Sequence, residues 1–169
     1  RVTRDPGSEF SPDFSPDGAR IAFESNRDGN PGLWTLGAAG GPPGLLLPHP
    51  GIDAHPRFSP DGRRIAFTSN REGRPGESDI WAVSSDGSGL RRMTTAGGLK
   101  GRPTWFSDNA RIIFESNLNG GWGLWALEPN ALLKPLPLKK PTLRPAWSPD
   151  GWWLAYQSER GGNQDVYLT

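Results

Sequence analysis

Apolar residues along this chain fall in short runs separated by stretches of Gly, Pro, Asp, Asn and Ser, and the runs recur in a fixed order. The first run of each unit sets an aromatic residue after a proline: Pro12-Asp13-Phe14, Pro56-Arg57-Phe58, Pro103-Thr104-Trp105 and Pro145-Ala146-Trp147. A Ser-Pro-Asp-Gly turn or a close variant follows at residues 15–18, 59–62, 106–109 and 148–151. The second run ends in serine each time: Arg20-Ile21-Ala22-Phe23-Glu24-Ser25, Arg64-Ile65-Ala66-Phe67-Thr68-Ser69, Arg111-Ile112-Ile113-Phe114-Glu115-Ser116 and Trp153-Leu154-Ala155-Tyr156-Gln157-Ser158. A third run lies beyond a Gly/Asn-rich loop, at Leu33-Trp34-Thr35-Leu36, Ile80-Trp81-Ala82-Val83, Leu124-Trp125-Ala126-Leu127 and Val166-Tyr167-Leu168-Thr169. Runs that are short, β-branched or aromatic, and bounded by turn residues predict strands. Apolar residues on both faces of the second strand require a sheet covered on both sides.

The leading prolines stand 44, 47 and 42 residues apart. That period, with several short strands per unit, predicts a β-propeller, in which each blade covers the next. The turn explains its own spelling: Pro presets φ, Asp bonds back to the backbone, and Gly supplies positive φ. In the third copy Asn109 replaces Gly, and Asn is the residue with a Cβ that best tolerates the left-handed region. Of seventeen aromatic residues, twelve fall in three columns of the repeat, headed by Phe14, Phe23 and Trp34, and are expected in the core between blades. Phe10, Phe106, Trp122, Trp152 and Trp153 are left over.

The two ends suggest how the ring closes. Arg1-Val2-Thr3 precedes Pro12 as Arg92-Met93-Thr94 precedes Pro103, whereas Asp165-Val166-Tyr167-Leu168-Thr169 matches the third strand at Asp79-Ile80-Trp81-Ala82-Val83. The expectation is an all-β propeller of four four-stranded blades, at about residues 10–47, 54–94, 101–136 and 143–169 with 1–4. The N-terminal strand would complete the last blade and remove a sheet edge. An arc of a larger propeller, or completion by a neighbouring copy, are the alternatives.

Composition narrows the classes. One domain accounts for the 169 residues, and a net charge of +1 gives no global attraction to nucleic acid. No apolar run is long enough for a membrane span, so membrane insertion is not expected, and no signal peptide is visible. The chain has no cysteine, which removes disulfides and thiol chemistry and fits an exported bacterial protein. It does not begin with Met, so it is not expected to be a full open reading frame.

The unit Pro-x-Phe/Trp-Ser-Pro-Asp-Gly-x-x-Ile-Ala-Phe-x-Ser-Asn-Arg-x-Gly, fullest between Pro56 and Trp81, resembles the WD-repeat-like blade of TolB-type β-propellers. That resemblance implies a periplasmic or extracellular protein that binds protein partners. TolB has more blades and a further domain, and similar blades form the non-catalytic propeller of prolyl oligopeptidase relatives. A non-catalytic module for a protein or polymer partner is therefore the leading expectation. A self-assembling structural subunit and an accessory domain of a hydrolase are the alternatives.

In propellers of this type the loops entering the innermost strand gather at one mouth of the channel, and rigidly mounted loops are the usual home of function. Glu9, Phe10, Asp53, His55, Arg102, Trp122 and Arg144 are the expected mouth residues, and the residue before each leading proline varies as Ser11, His55, Arg102 and Arg144. Phe106, Trp152 and Trp153 lie by the first hairpins at the opposite face, where exposed they would make an apolar partner patch. No metal or cofactor is expected. His49, Asp53 and His55 share a Pro/Gly loop without a further ligand, and residues 26–30 lack the bidentate Glu of a calcium loop. Catalysis is not expected either, since both histidines sit in one loop and no Gly-x-Ser-x-Gly elbow is present. Glu24 and Glu115 would be a carboxylate pair across the channel, yet Thr68 and Gln157 take their places in the other units.

Overall fold

The computed structural model describes residues 1–139, 141–148, 150–159 and 162–169. Its strands form four antiparallel sheets, each running outward in chain order. The first holds β1 (Glu9–Phe14), β2 (Arg20–Ser25), β3 (Gly32–Gly37) and β4 (Gly44–Leu45). The second holds β5 (Asp53–Phe58), β6 (Arg64–Ser69), β7 (Asp79–Ser84) and β8 (Arg91–Arg92). The third holds β9 (Lys100–Trp105), β10 (Ile112–Ser116), β11 (Gly123–Leu127) and β12 (Leu133–Pro135), and the last β13 (Thr142–Trp147), β14 (Leu154–Glu159) and β15 (Gln164–Leu168). The inner strands touch in series, β1 to β5, β5 to β9 and β9 to β13, so the sheets stand side by side as blades around a channel. The protein is an all-β, four-bladed propeller, as its repeats predict. No helix among the described residues is long and apolar enough to cross a membrane.

The core lies between blades. Phe58 of β5 packs with Ala22 and Leu33 of the first blade, and Trp105 of β9 packs with Ala66, Ile80 and Ala82 of the second. Trp147 of β13 rests on Ile113 and Leu124 of the third. Phe67 and Phe114 have no exposed surface, and burial of each such ring is worth about 2–3 kcal/mol. The aromatic columns thus hold one blade to the next at the three internal interfaces, whereas Phe14, expected in this core, is 61% exposed, and Phe23 and Trp34 cluster within the first blade.

Each first hairpin closes as its spelling predicts. The Ser59 hydroxyl donates to Asp61 Oδ1 at 2.6 Å, Asp61 accepts the Arg63 N–H at 3.1 Å, and Gly62 has φ of +70°. Asn109 takes the same left-handed conformation at φ +58°. Pro149 of the fourth turn lies outside the described residues. The closing serines are buried acceptors and donors at the other end of the second strands; the Ser69 hydroxyl, for example, donates to Asp53 at 2.5 Å.

The expected N-terminal clasp is not formed. Residues 1–8 lie in no strand, and the last sheet has three strands among the described residues. The opening segment leans on the first blade instead, where the Thr3 hydroxyl donates to Glu9 at 2.8 Å and Arg27 pairs with Asp5 at 2.8 Å and with Glu9 at 3.0 Å. The cause is Arg27. Its guanidinium is buried over Phe23 and Trp34, 5.5 and 4.5 Å from the ring centres, and a cation so placed requires carboxylate partners. Asp5 is one of them, which ties the segment to the first blade. The three-residue match to Arg92-Met93-Thr94 carries no comparable constraint.

Candidate functional site

Every inner strand carries the same irregularity. In β1 the pairing with β2 jumps from Phe10 opposite Glu24 to Asp13 opposite Ala22, so Ser11 and Pro12 together face Phe23. His55 and Pro56, Arg102 and Pro103, and Arg144 and Pro145 repeat this in β5, β9 and β13. Two residues opposite one is a β-bulge, which bends the strand and re-aims a side chain. A bulge is also one of the few places where a sheet accepts a proline, because no ladder donor is lost there. The residue before each proline is left-handed: φ is +50° at Ser11, +55° at His55, +46° at Arg102 and +53° at Arg144. None is glycine, so each stores strain of a kind that clusters at functional sites.

The strained residues are clamped by the neighbouring blade. Buried Glu115, ending β10, accepts the Arg144 N–H at 2.5 Å and pairs with the Arg102 guanidinium at 3.3 Å. Glu24 accepts the His55 N–H in the same way, although burial still holds its carboxyl above the usual range. Both carboxylates thus accept a backbone N–H from the neighbouring inner strand. Asp13 accepts the Phe58 N–H at 2.7 Å and lies 3.7 Å from Arg57, and burial raises its pKa against both.

Among the expected mouth residues, Arg102 and Arg144 come together on one cavity of about 290 Å3, with Arg57 and Pro103 also on its wall. His55 sits in the field of this cluster: burial first, then Arg102 and Arg57, lowers its pKa to about 4. Its Nδ1 is buried without a hydrogen-bond partner among the described residues. A groove of about 590 Å3 shares Arg57, Pro145 and Ala146 with this cavity, and its wall includes Asp13, Phe58, Trp105 and Trp147.

Other expected residues are engaged elsewhere. Asp53 is buried and held by the Ser69 hydroxyl and by Arg71, and Glu9 is held by Arg27. His49 Nδ1 accepts the Gly51 N–H at 2.8 Å, and no three His, Cys, Asp or Glu side chains gather as a metal cluster among the described residues. Phe10 and Trp122 are exposed. At the opposite face Trp152 and Trp153 are exposed, whereas Phe106 is half-buried, 4.6 Å from the Trp147 ring and capped by Arg111. Phe106 therefore seals the seam between the last two blades and adds little to an exposed patch. Arg57 was not among the sequence candidates. Its signal is alternation: with a bulge before the proline, Arg57 after Pro56 reaches the same cavity as Arg102 and Arg144 before theirs.

Bladed sheets, inter-blade aromatic cores and a channel lined by bulged inner strands place the molecule in the β-propeller class. The TolB beta propeller domain model matches residues 1–131, more than three quarters of the chain, and the chain belongs to that family. It is 46% identical over 41 residues to the Tol-Pal system protein TolB of Bordetella pertussis, covering 24% of this chain and 9% of that protein. It is 38% identical over 76 residues to its counterpart in Desulfosudis oleivorans, covering 42% and 16%. The crystal structure of TolB from Acinetobacter baumannii superposes with a TM-score of 0.89 at 24% identity, over 99% of this chain and 42% of that one. The chain thus spans less than half the length of each of these proteins.

Proposed function

We propose that the chain is a non-catalytic binding module for a protein partner, acting in the periplasm, with the channel mouth as its contact surface. One observation carries this reading. Four equivalent positions hold a strained backbone, yet the side chains there are of three different types, as Ser11, His55, Arg102 and Arg144. A fold repeated this closely elsewhere keeps a costly geometry and varies what it displays, which is how a scaffold presents a surface. The carboxylates near the channel, Glu24, Glu115 and Asp13, serve as backbone acceptors. The relatives' place in a Tol-Pal system supports a protein partner and a periplasmic site of action.

Site-specific photo-crosslinking tests this. A benzophenone amino acid at position 144 is expected to crosslink purified Pal, the protein that shares the name of the relatives' Tol-Pal system. One at position 132, an exposed turn of the outer strands, is expected not to. Crosslinking from 132 alone, or equally from both, would move the surface away from the mouth.

A second reading, association of copies end to end, is favoured by a separate feature. Phe14 on the first blade is 61% exposed and Val166 on the last 77%, whereas their counterparts Phe58 and Ile80 are 8% and 0% exposed. In the interior blades the corresponding residues form the two halves of a blade interface.

A further inference from the structure

The seam between the second and third blades is built differently from the seam before it. Between the first two blades the outer turn at residues 84–87 lies tight against the neighbouring blade: a Cβ at Gly87 would stand 3.0 Å from the Leu46 carbonyl oxygen. Arg20 ties the same seam by donating to the Ser85 carbonyl at 2.7 Å. The equivalent turn of the third blade is at residues 128–131, where Ala131, like Gly87, donates to the carbonyl three residues back at 2.9 Å. Met93 takes the place of Leu46, each donating to its own third strand, at Ile80 and Leu33. Here the glycine has become an alanine, left-handed at φ +63°. Its methyl cannot come as near the Met93 carbonyl as Gly87 comes to that of Leu46, so the turn stands off. The arginine tie is gone as well, because Arg64, the counterpart of Arg20, donates to the Asn109 carbonyl instead and stacks on Trp105 at 4.7 Å.

Between these blades lies a cavity of about 450 Å3, on the outer rim and bounded by β8, the end of β11 and β12. Small-molecule sites occupy about 300–1,000 Å3. A strained residue kept where the repeat has glycine, and holding a cavity open, is backbone strain of the kind found at functional sites. The wall has two parts. Met93, Leu127 and Leu133 make an apolar floor continuous with the core between the two blades. At the rim Arg91 is exposed, and its guanidinium has no hydrogen bond or ion pair among the described residues. Arg92 is committed to Asp79 and lies 3.6 Å from Glu72. Glu128, the one carboxylate among the wall's described residues, has Lys134 at 3.5 Å. The carboxylates here thus have cations of their own, whereas Arg91 has no anion.

We infer that this seam binds a small organic anion with an apolar body, a carboxylate carried on an alkyl or aryl group. The body displaces water from Met93, Leu127 and Leu133, and the carboxylate meets Arg91, whose guanidinium pairs with it through two parallel N–H···O bonds. Apolar burial supplies the affinity and the single charge sets the orientation, the usual division in such pockets. The site is separate from the channel mouth and stands or falls without the partner reading.

The probe is anilinonaphthalene sulfonate, an aryl anion that fluoresces on entering an apolar site, titrated into the chain and then displaced. Saturable binding is expected, displaced by octanoate or naphthoate at far lower concentration than by octanol. Octanoate as the stronger competitor marks an alkyl ligand and naphthoate an aryl one; both belong to the class inferred. Ala131→Gly, which lets the turn close on Met93, is expected to weaken the probe about ten-fold while raising the melting temperature, a loss that misfolding cannot explain. Arg91→Gln breaks no contact within the protein and is expected to weaken it about five-fold, the worth of one exposed ion pair, with the melting temperature unchanged. Arg74→Gln removes the same charge from an exposed site outside the cavity and is expected to change neither. Binding that survives Ala131→Gly, equal loss in Arg91→Gln and Arg74→Gln, or displacement by octanol as readily as by octanoate would overturn the inference.

Discussion

The residue before each inner-strand proline adopts left-handed dihedrals although none of the four is glycine. For a residue with a Cβ that conformation costs about 1–2 kcal/mol. Ser11 is the simplest place to release it, because its side chain makes no hydrogen bond among the described residues. Ser11→Gly is expected to raise the urea midpoint by the equivalent of about 1 kcal/mol. The reverse operation at a turn, Gly62→Val at φ +70°, is expected to cost about 2 kcal/mol. A fall in the first or an unchanged midpoint in the second would contradict the backbone assignment. His55 supplies the pH dependence. Its folded pKa is about 4, lowered from 6.5 by burial and then by Arg102 and Arg57. Between those values the unfolded chain binds a proton that the folded chain does not, so stability falls as pH drops from 6.5 toward 4. His55→Gln is expected to flatten that part of the melting profile, and an NMR titration of the ring is expected to centre near 4. A midpoint at 6.5 would mean that the ring is neither buried nor beside the arginines.

At the scale of the element, strands and hairpins were legible because alternation and turn chemistry are local. Phe58-Ser59-Pro60-Asp61-Gly62 contains every atom its turn needs. The bulge was not legible. A proline ahead of an aromatic run reads as the first residue of a strand, yet β5 begins at Asp53 and carries Pro56 through its middle. That arrangement depends on His55 turning left-handed and on Glu24 of the previous blade accepting its N–H, a contact 31 residues away in sequence (55 − 24). The same kind of long-range contact explains why Glu24 and Glu115 stand next to the last residue of their strands, a choice that resembles catalytic carboxylates when read along the chain. Arg57 was missed for the related reason that only the bulge fixes which neighbours of the proline face the channel. The clasp failed at this scale too. Arg1-Val2-Thr3 has the composition of an outer strand, but the buried charge of Arg27 draws Asp5 to the first blade.

For the whole molecule, the number and order of blades followed from the repeat, whereas what covers the two end faces did not. Three of the four apolar clusters join one blade to the next. The fourth, built from Phe23, Trp34 and Leu36, belongs to the first blade alone and is roofed by Arg27. Beside it Phe10 and Phe14 are exposed, and at the far end Val166 and Leu168 are 77% and 64% exposed. In the interior, the Phe14 counterpart sits on the residues equivalent to Ala155 and Val166, so the chain carries both sides of a contact it uses internally. Faces that differ from one another associate head to tail and form open chains unless the rotation closes. Light scattering across a hundred-fold concentration range is therefore expected to show a mass rising above the monomer's 18.4 kDa. Val166→Lys with Leu168→Lys should restore the monomer without lowering the melting temperature, since both side chains are already in water. A constant monomer mass in the unaltered chain would sink the end-to-end reading.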